Sequence, residues 1–147
     1  MNHKTISMLL ICLFTLSACT SRVLNTPTPT TAPAAVGILP TSIGDLKFIS
    51  ARIVDEANGA VPQPGEKILL VVIERMDGEQ IDLAAFDTAI REVPEGVFIE
   101  GDDGSKTIHT MGGWVDEDFS IGFRVPKAIK TYTLHWPGAT PLSIEPE

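Results

Sequence analysis

Residues 68–73 read Ile-Leu-Leu-Val-Val-Ile, an unbroken apolar run closed at each end by a charged pair, Glu66-Lys67 and Glu74-Arg75. A strand with one face in water alternates polar and apolar residues. A β-branched and leucine run without that alternation therefore predicts a strand covered on both faces. The rest of the chain must supply the two covering layers.

Further strand patterns offer them. Residues 45–55 hold Leu46, Phe48, Ile49, Ala51, Ile53 and Val54, and their apolar parity switches at Phe48-Ile49, as a β-bulge makes it. Residues 81–85 form a shorter apolar piece. Phe86, Ile90 and Val93 then fall at helical spacing, so residues 82–92 are expected to make a helical turn, ended by Pro94-Glu95-Gly96. Residues 97–100 and 106–111 flank Gly101-Asp102-Asp103-Gly104-Ser105, which reads as a hairpin with a five-residue turn. Phe119, Ile121, Phe123 and Val125 alternate up to Pro126, and Tyr132, Leu134 and Trp136 alternate up to Pro137-Gly138. The expected class is all-β, an immunoglobulin-like sandwich of about seven strands with at most one short helical turn.

The first part of the chain has another character. His3 and Lys4 precede an apolar stretch at residues 6–16, too short to span a bilayer, which needs roughly 20 residues, and of the length of a signal core. Leu16-Ser17-Ala18-Cys19 follows and resembles the lipobox of bacterial lipoproteins. The resemblance implies that residues 1–18 are a signal peptide that is removed. It also implies that Cys19 becomes the first residue and carries diacylglycerol. With Thr20 after it, the family's retention signal, Asp at that place, is absent. The resemblance thus implies an exported protein held at the outer face of the cell membrane or at the outer membrane. Several acyl chains hold a protein firmly where one does not, at about 0.8 kcal/mol per buried CH₂.

Cys12 lies within the signal, so a chain lipidated at Cys19 keeps no free thiol and no disulfide. Residues 20–42 hold six Thr and four Pro with Arg22 as the only charge, a composition that reads as an extended tether. The expected organisation is a signal over residues 1–18, lipidated Cys and tether over 19–42, and one domain over 43–147.

Pro64-Gly65-Glu66-Lys67 ahead of the solid apolar strand, the Asp103-Gly104 turn, and Phe123-Arg124-Val125-Pro126-Lys127 followed by Leu134 and Trp136 stand in order along that domain. This set resembles the telokin-like, immunoglobulin-like domain found in small bacterial lipoproteins. The resemblance implies a sandwich fold and no catalytic residues.

Charge and residue inventory narrow the chemistry. The chain carries 11 basic and 19 acidic residues, a formal −8, and residues 43–147 carry nine and nineteen, a formal −10. Such acidity disfavours nucleic acid, whose phosphates need clustered Lys and Arg. Past the signal only His109 and His135 remain as histidines, and Ser105 and Ser120 have no recognisable base beside them. No enzyme is expected.

Three ideas about ligands follow. Asp102 and Asp103 in one turn, and Asp116, Glu117 and Asp118 in another, supply the hard oxygens that calcium prefers, although the spacing matches no EF-hand. His109 and Met111, two apart on an expected strand, project from one face and suit copper if His135 or Met76 joins them. Trp114, after Gly112-Gly113 and before three acids, is expected in or beside a loop, where it either caps the sandwich end or anchors a protein partner. Trp136 is expected in the core. The expected function is a membrane-anchored, non-catalytic binding or structural module at the cell envelope without cofactor, with a metal-binding lipoprotein as the alternative.

Overall fold

A computed structural model describes residues 37–93 and 96–147. The signal, Cys19 and the part of the tether up to residue 36 lie outside the described residues, as do Pro94 and Glu95.

The central strand, β3 (Glu66–Arg75), is flanked by β2 (Leu46–Val54) and β7 (Asp118–Pro126). With β1 (Ile38–Leu39) and β6 (Met111–Val115) outside them, these make a five-stranded sheet in the order β1-β2-β3-β7-β6. A second sheet runs β5 (Lys106–Ile108), β4 (Phe98–Gly101), β8 (Tyr132–His135) and β9 (Leu142–Ile144), and every pairing in both sheets is antiparallel. The domain is a sheet-rich β-sandwich, consistent with an immunoglobulin-like fold.

Residues 68–73 are buried throughout, as their sequence demands. Leu69, Val71 and Ile73 face the main core. There they meet Phe119, Ile121, Phe123 and Val125 of β7 and Ile99, Tyr132, Leu134 and Ile144 of the second sheet. Ile68 and Leu70 face the other way, where the β2–β3 connection folds back over the sheet and covers them with Ala57, Val54 and Ala60, joined by Met111 and Val115. The second covering layer is thus a loop and three strand side chains, those of Val54, Met111 and Val115, rather than a third sheet. The bulge lies where the parity switch places it, since the β2–β3 register shifts between Phe48 and Ser50.

The described residues form nine strands where about seven are expected. Residues 81–85 do not form one: the Asp82 carboxylate accepts from the Ala85 N–H at 2.7 Å and starts α1 (Leu83–Arg91), a nine-residue helix that buries Phe86, Ala89 and Ile90. The 106–111 segment divides, because His109 N–H turns to the Val97 carbonyl and Thr110 N–H to Gly122. Its halves thereby fall in different sheets. β9 adds a short piece after the Pro137-Gly138 turn. The folded unit also reaches back beyond residue 43, since β1 pairs with β2 and Leu39 is buried. Trp136 is in the core as expected, and its indole N–H donates to the Pro40 carbonyl at 2.9 Å.

Candidate functional site

Trp114 lies on β6, the last strand of its sheet among the described residues, and so beside the Asp116-Glu117 turn rather than in it. It is paired across the ladder with Phe119 and meets that ring edge-to-face, with centroids 5.4 Å apart. Phe119 in turn packs edge-to-face on Phe86 of α1 at 4.9 Å. Gly112, beside it on β6, admits this helix: a Cβ there would stand 3.2 Å from the Phe86 ring. Trp114 is therefore fixed by a strand and an aromatic chain into the core, yet 38% of its surface stays open.

The open part borders a cleft of about 300 Å³. The β3–β7 ladder ends at Val72 and Ser120, although β3 continues to Arg75 and β7 begins at Asp118. The two strands part there. Ile73 and Phe119 form apolar walls, Ile81 of the β3–α1 connection adds another, and Glu74, Glu79, Glu117 and Asp118 stand around them with Arg75. The two-residue turn Asp116-Glu117 closes the β6–β7 hairpin, with Asp116 at φ 58°, a left-handed conformation that Asp tolerates.

The charged groups are partly tied to one another. Lys47 reaches Glu74 at 2.9 Å, Arg52 reaches Asp116 at 3.1 Å and Asp118 at 3.8 Å, and Arg75 lies 3.7 Å from Glu79. Arg75 is held chiefly by Asp77, to which its Nε donates at 2.9 Å. That guanidinium, with the Glu79 N–H, keeps the Asp77 carboxyl below the ordinary carboxylate range. Glu117 enters no ion pair among the described residues.

The metal ideas fare differently. Asp102 and Asp103 sit in the β4–β5 turn of one sheet, and Asp116 and Asp118 in the β6–β7 hairpin of the other. Asp103 accepts from the Ser105 N–H at 2.8 Å, and contacts with Ser105 keep its carboxyl below the ordinary range. Asp102 accepts from Thr131 at 3.4 Å, while Asp116 and Asp118 face Arg52. Among the described residues no three His, Cys, Asp or Glu are grouped to hold a metal ion. His109 is not on a strand, which removes the shared face expected of it and Met111. Met111 lies over Gly122 on the sheet's outer face. His135 stacks on Phe98 in the second sheet at 4.4 Å, and Met76 is exposed beyond the end of β3.

The second sheet offers one further surface, a row of Ile108, Phe98 and His135 across β5, β4 and β8. Its aromatic faces are already used, by the stacked imidazole and by the Lys106 ammonium 5.1 Å from the Phe98 centroid. The cleft beside Trp114 is the better-formed site. The acid-rich turn next to Trp114 is visible in the sequence, but the 78–81 segment facing it is not, since the parting of β3 from β7 is a tertiary feature. Compared with known proteins, the chain matches no protein-family model, no curated protein and no solved structure.

Proposed function

We propose that this chain is an exported lipoprotein, anchored through Cys19, whose telokin-like, immunoglobulin-like domain binds a protein partner at the cell envelope without catalysing a reaction. One observation carries the binding reading: a large aromatic side chain, rigidly supported by Phe119, stands open at the mouth of a cleft. Partially exposed Trp side chains backed by packed aromatics are the groups that dominate protein interfaces, because little entropy is lost when they are covered. Anchoring rests on Leu16-Ser17-Ala18-Cys19 and the apolar stretch before it. The partner is met through contact surfaces at a sheet end, as is usual for sandwiches.

Crosslinking on intact cells tests both parts. The wild-type protein is expected in the membrane fraction with a discrete crosslinked partner, and Cys19→Ala is expected to leave that fraction. Trp114→Ala should lose the partner while its circular dichroism and melting temperature stay close to wild type. Retention of Cys19→Ala in the membrane sinks the anchor. Unchanged crosslinking by a folded Trp114→Ala sinks the cleft as contact site.

A further inference from the structure

We infer that the Trp114 cleft takes a Lys or Arg side chain presented by an extended segment of the partner protein. The inference rests on the cleft being the contact site, and adds the chemistry of what enters it.

The walls and the rim ask for different things. Ile73, Ile81 and Phe119 are buried apolar residues, and Trp114 continues their surface outward. Around that surface stand four carboxylates with the guanidinium of Arg75: Glu74 is already paired with Lys47 at 2.9 Å, which leaves Glu79, Glu117 and Asp118 loosely paired or unpaired among the described residues. Carboxylates alone would be a solvated rim with nothing to hold. Here they stand beside a cleft floored by apolar residues and edged by an open indole, and a side chain with an apolar stem and a cationic tip fits both. An anionic tip would meet the carboxylates and be repelled. A neutral apolar tip would strip water from them and return nothing. A bare metal ion would make no use of the apolar walls.

The internal cations leave room for another. The Arg75–Glu79 and Arg52–Asp118 pairs are long, at 3.7 and 3.8 Å, and their carboxylates are solvent-exposed, so they are weakly held and readily shared. Glu117 has no cation of its own among the described residues. Arg75 is spoken for by Asp77. An entering ammonium or guanidinium meets surplus negative charge and lies near the Trp114 ring, where its quadrupole adds attraction.

Size and backbone geometry point to a side chain on an extended segment. The cleft's 300 Å³ is at the lower limit of small-molecule pockets, which run from about 300 to 1,000 Å³. It lies where β3 and β7 part and beside β6, which among the described residues has a strand on one side only. An extended segment can run along such edges, its main chain meeting strand backbone and alternate side chains turning inward.

Intrinsic fluorescence of the full chain supplies the test, since Trp136 is buried and Trp114 is open. The probes are capped pentapeptides with Arg, Lys or norleucine between pairs of alanines, and n-butylguanidinium alone. The Arg and Lys peptides are expected to saturate at least about tenfold more tightly than the norleucine peptide at low salt, and to weaken as salt rises. Glu117→Gln, in an exposed turn, should weaken them about two- to fivefold, and Trp114→Phe should remove the signal. Equal binding of the norleucine peptide overturns the cationic tip. Butylguanidinium binding as tightly as the peptides overturns the protein segment as its source. If none of the probes binds while intact-cell crosslinking still depends on Trp114, the contact site stands and this inference falls. If crosslinking is also indifferent to Trp114, both fall.

Discussion

Tyr132 shows how one buried polar group ties the fold to pH. Its ring belongs to the main core, and its hydroxyl donates to the Ile129 carbonyl at 2.9 Å, a carbonyl that also accepts from Lys67 Nζ at 2.8 Å. Burial, with the nearby charges of Asp102 and Asp103, pushes the phenol up to about 12, against an ordinary value near 10. The folded state therefore holds this proton more tightly than the unfolded chain does. The associated stability is full below about pH 10, is lost as pH rises toward 12, and amounts to about 2–3 kcal/mol at most. Because the chain has a single tyrosine, its phenolate absorbance belongs to this residue alone. Titrating that absorbance should give a midpoint well above 10. Denaturation midpoints of Tyr132→Phe should fall less steeply across this range than those of the wild type. A midpoint near 10 in the folded protein would remove the argument.

At the scale of elements, the legible parts are those in which local pattern and tertiary demand agree. The unalternating 68–73 run is the buried central strand, the alternation of Phe119 to Val125 is β7, and the parity switch at Phe48-Ile49 is the bulge. Illegible parts are those decided elsewhere. The helix expected over residues 82–92 is there as α1, but where the apolar piece at 81–85 gives way to it is decided by the Asp82 cap and the burial of Phe86 and Ile90 against the core. β1 lies in a Thr/Pro-rich stretch that could not form a strand unaided, and exists because β2 offers an edge and the core a place for Leu39. The bulge permits a sharp test. Phe48 is opposite Ile73 and Ser50 opposite Val72, so Ile49 is the extra residue, and deleting it leaves Phe48, Ala51 and Ile53 on the core side. Deleting Arg52 instead moves Ile53 to the outer face, as any one-residue slip does. Chemical denaturation should find the Ile49 deletion destabilised by about 1 kcal/mol or less and the Arg52 deletion by about 3 kcal/mol or more. Equal costs would show that the bulge is not where the register can absorb a residue.

For the molecule as a whole, the main core of the described residues runs from Leu39 to Ile144 and draws on both sheets and the helix. Charge is arranged unevenly around that core. Glu74, Glu79, Glu117 and Asp118 surround the cleft at the C-terminal end of β3. Near its other end Lys67, Arg124 beside Ile68, and Lys127, whose N–H donates to Gly65, stand among the carboxylates of Glu66 and of Asp55-Glu56. The sequence discloses the sum of these charges but not their separation, because the strands that carry them meet only in the sheet. A formal −10 over residues 43–147 outweighs the cations at that end, and at physiological salt a local basic patch is felt only within about 8 Å. Attachment to a membrane should then depend on what precedes the domain rather than on its folded surface. Residues 37–147, mixed with vesicles of neutral or of anionic lipid at physiological ionic strength, should sediment no more than in a vesicle-free control. The full chain, carrying the acyl chains proposed at Cys19, should sediment with both. Sedimentation of the bare domain with anionic vesicles alone would assign attachment to the cations around Lys67 and Lys127, and the acylation proposed at Cys19 would no longer be needed to explain it.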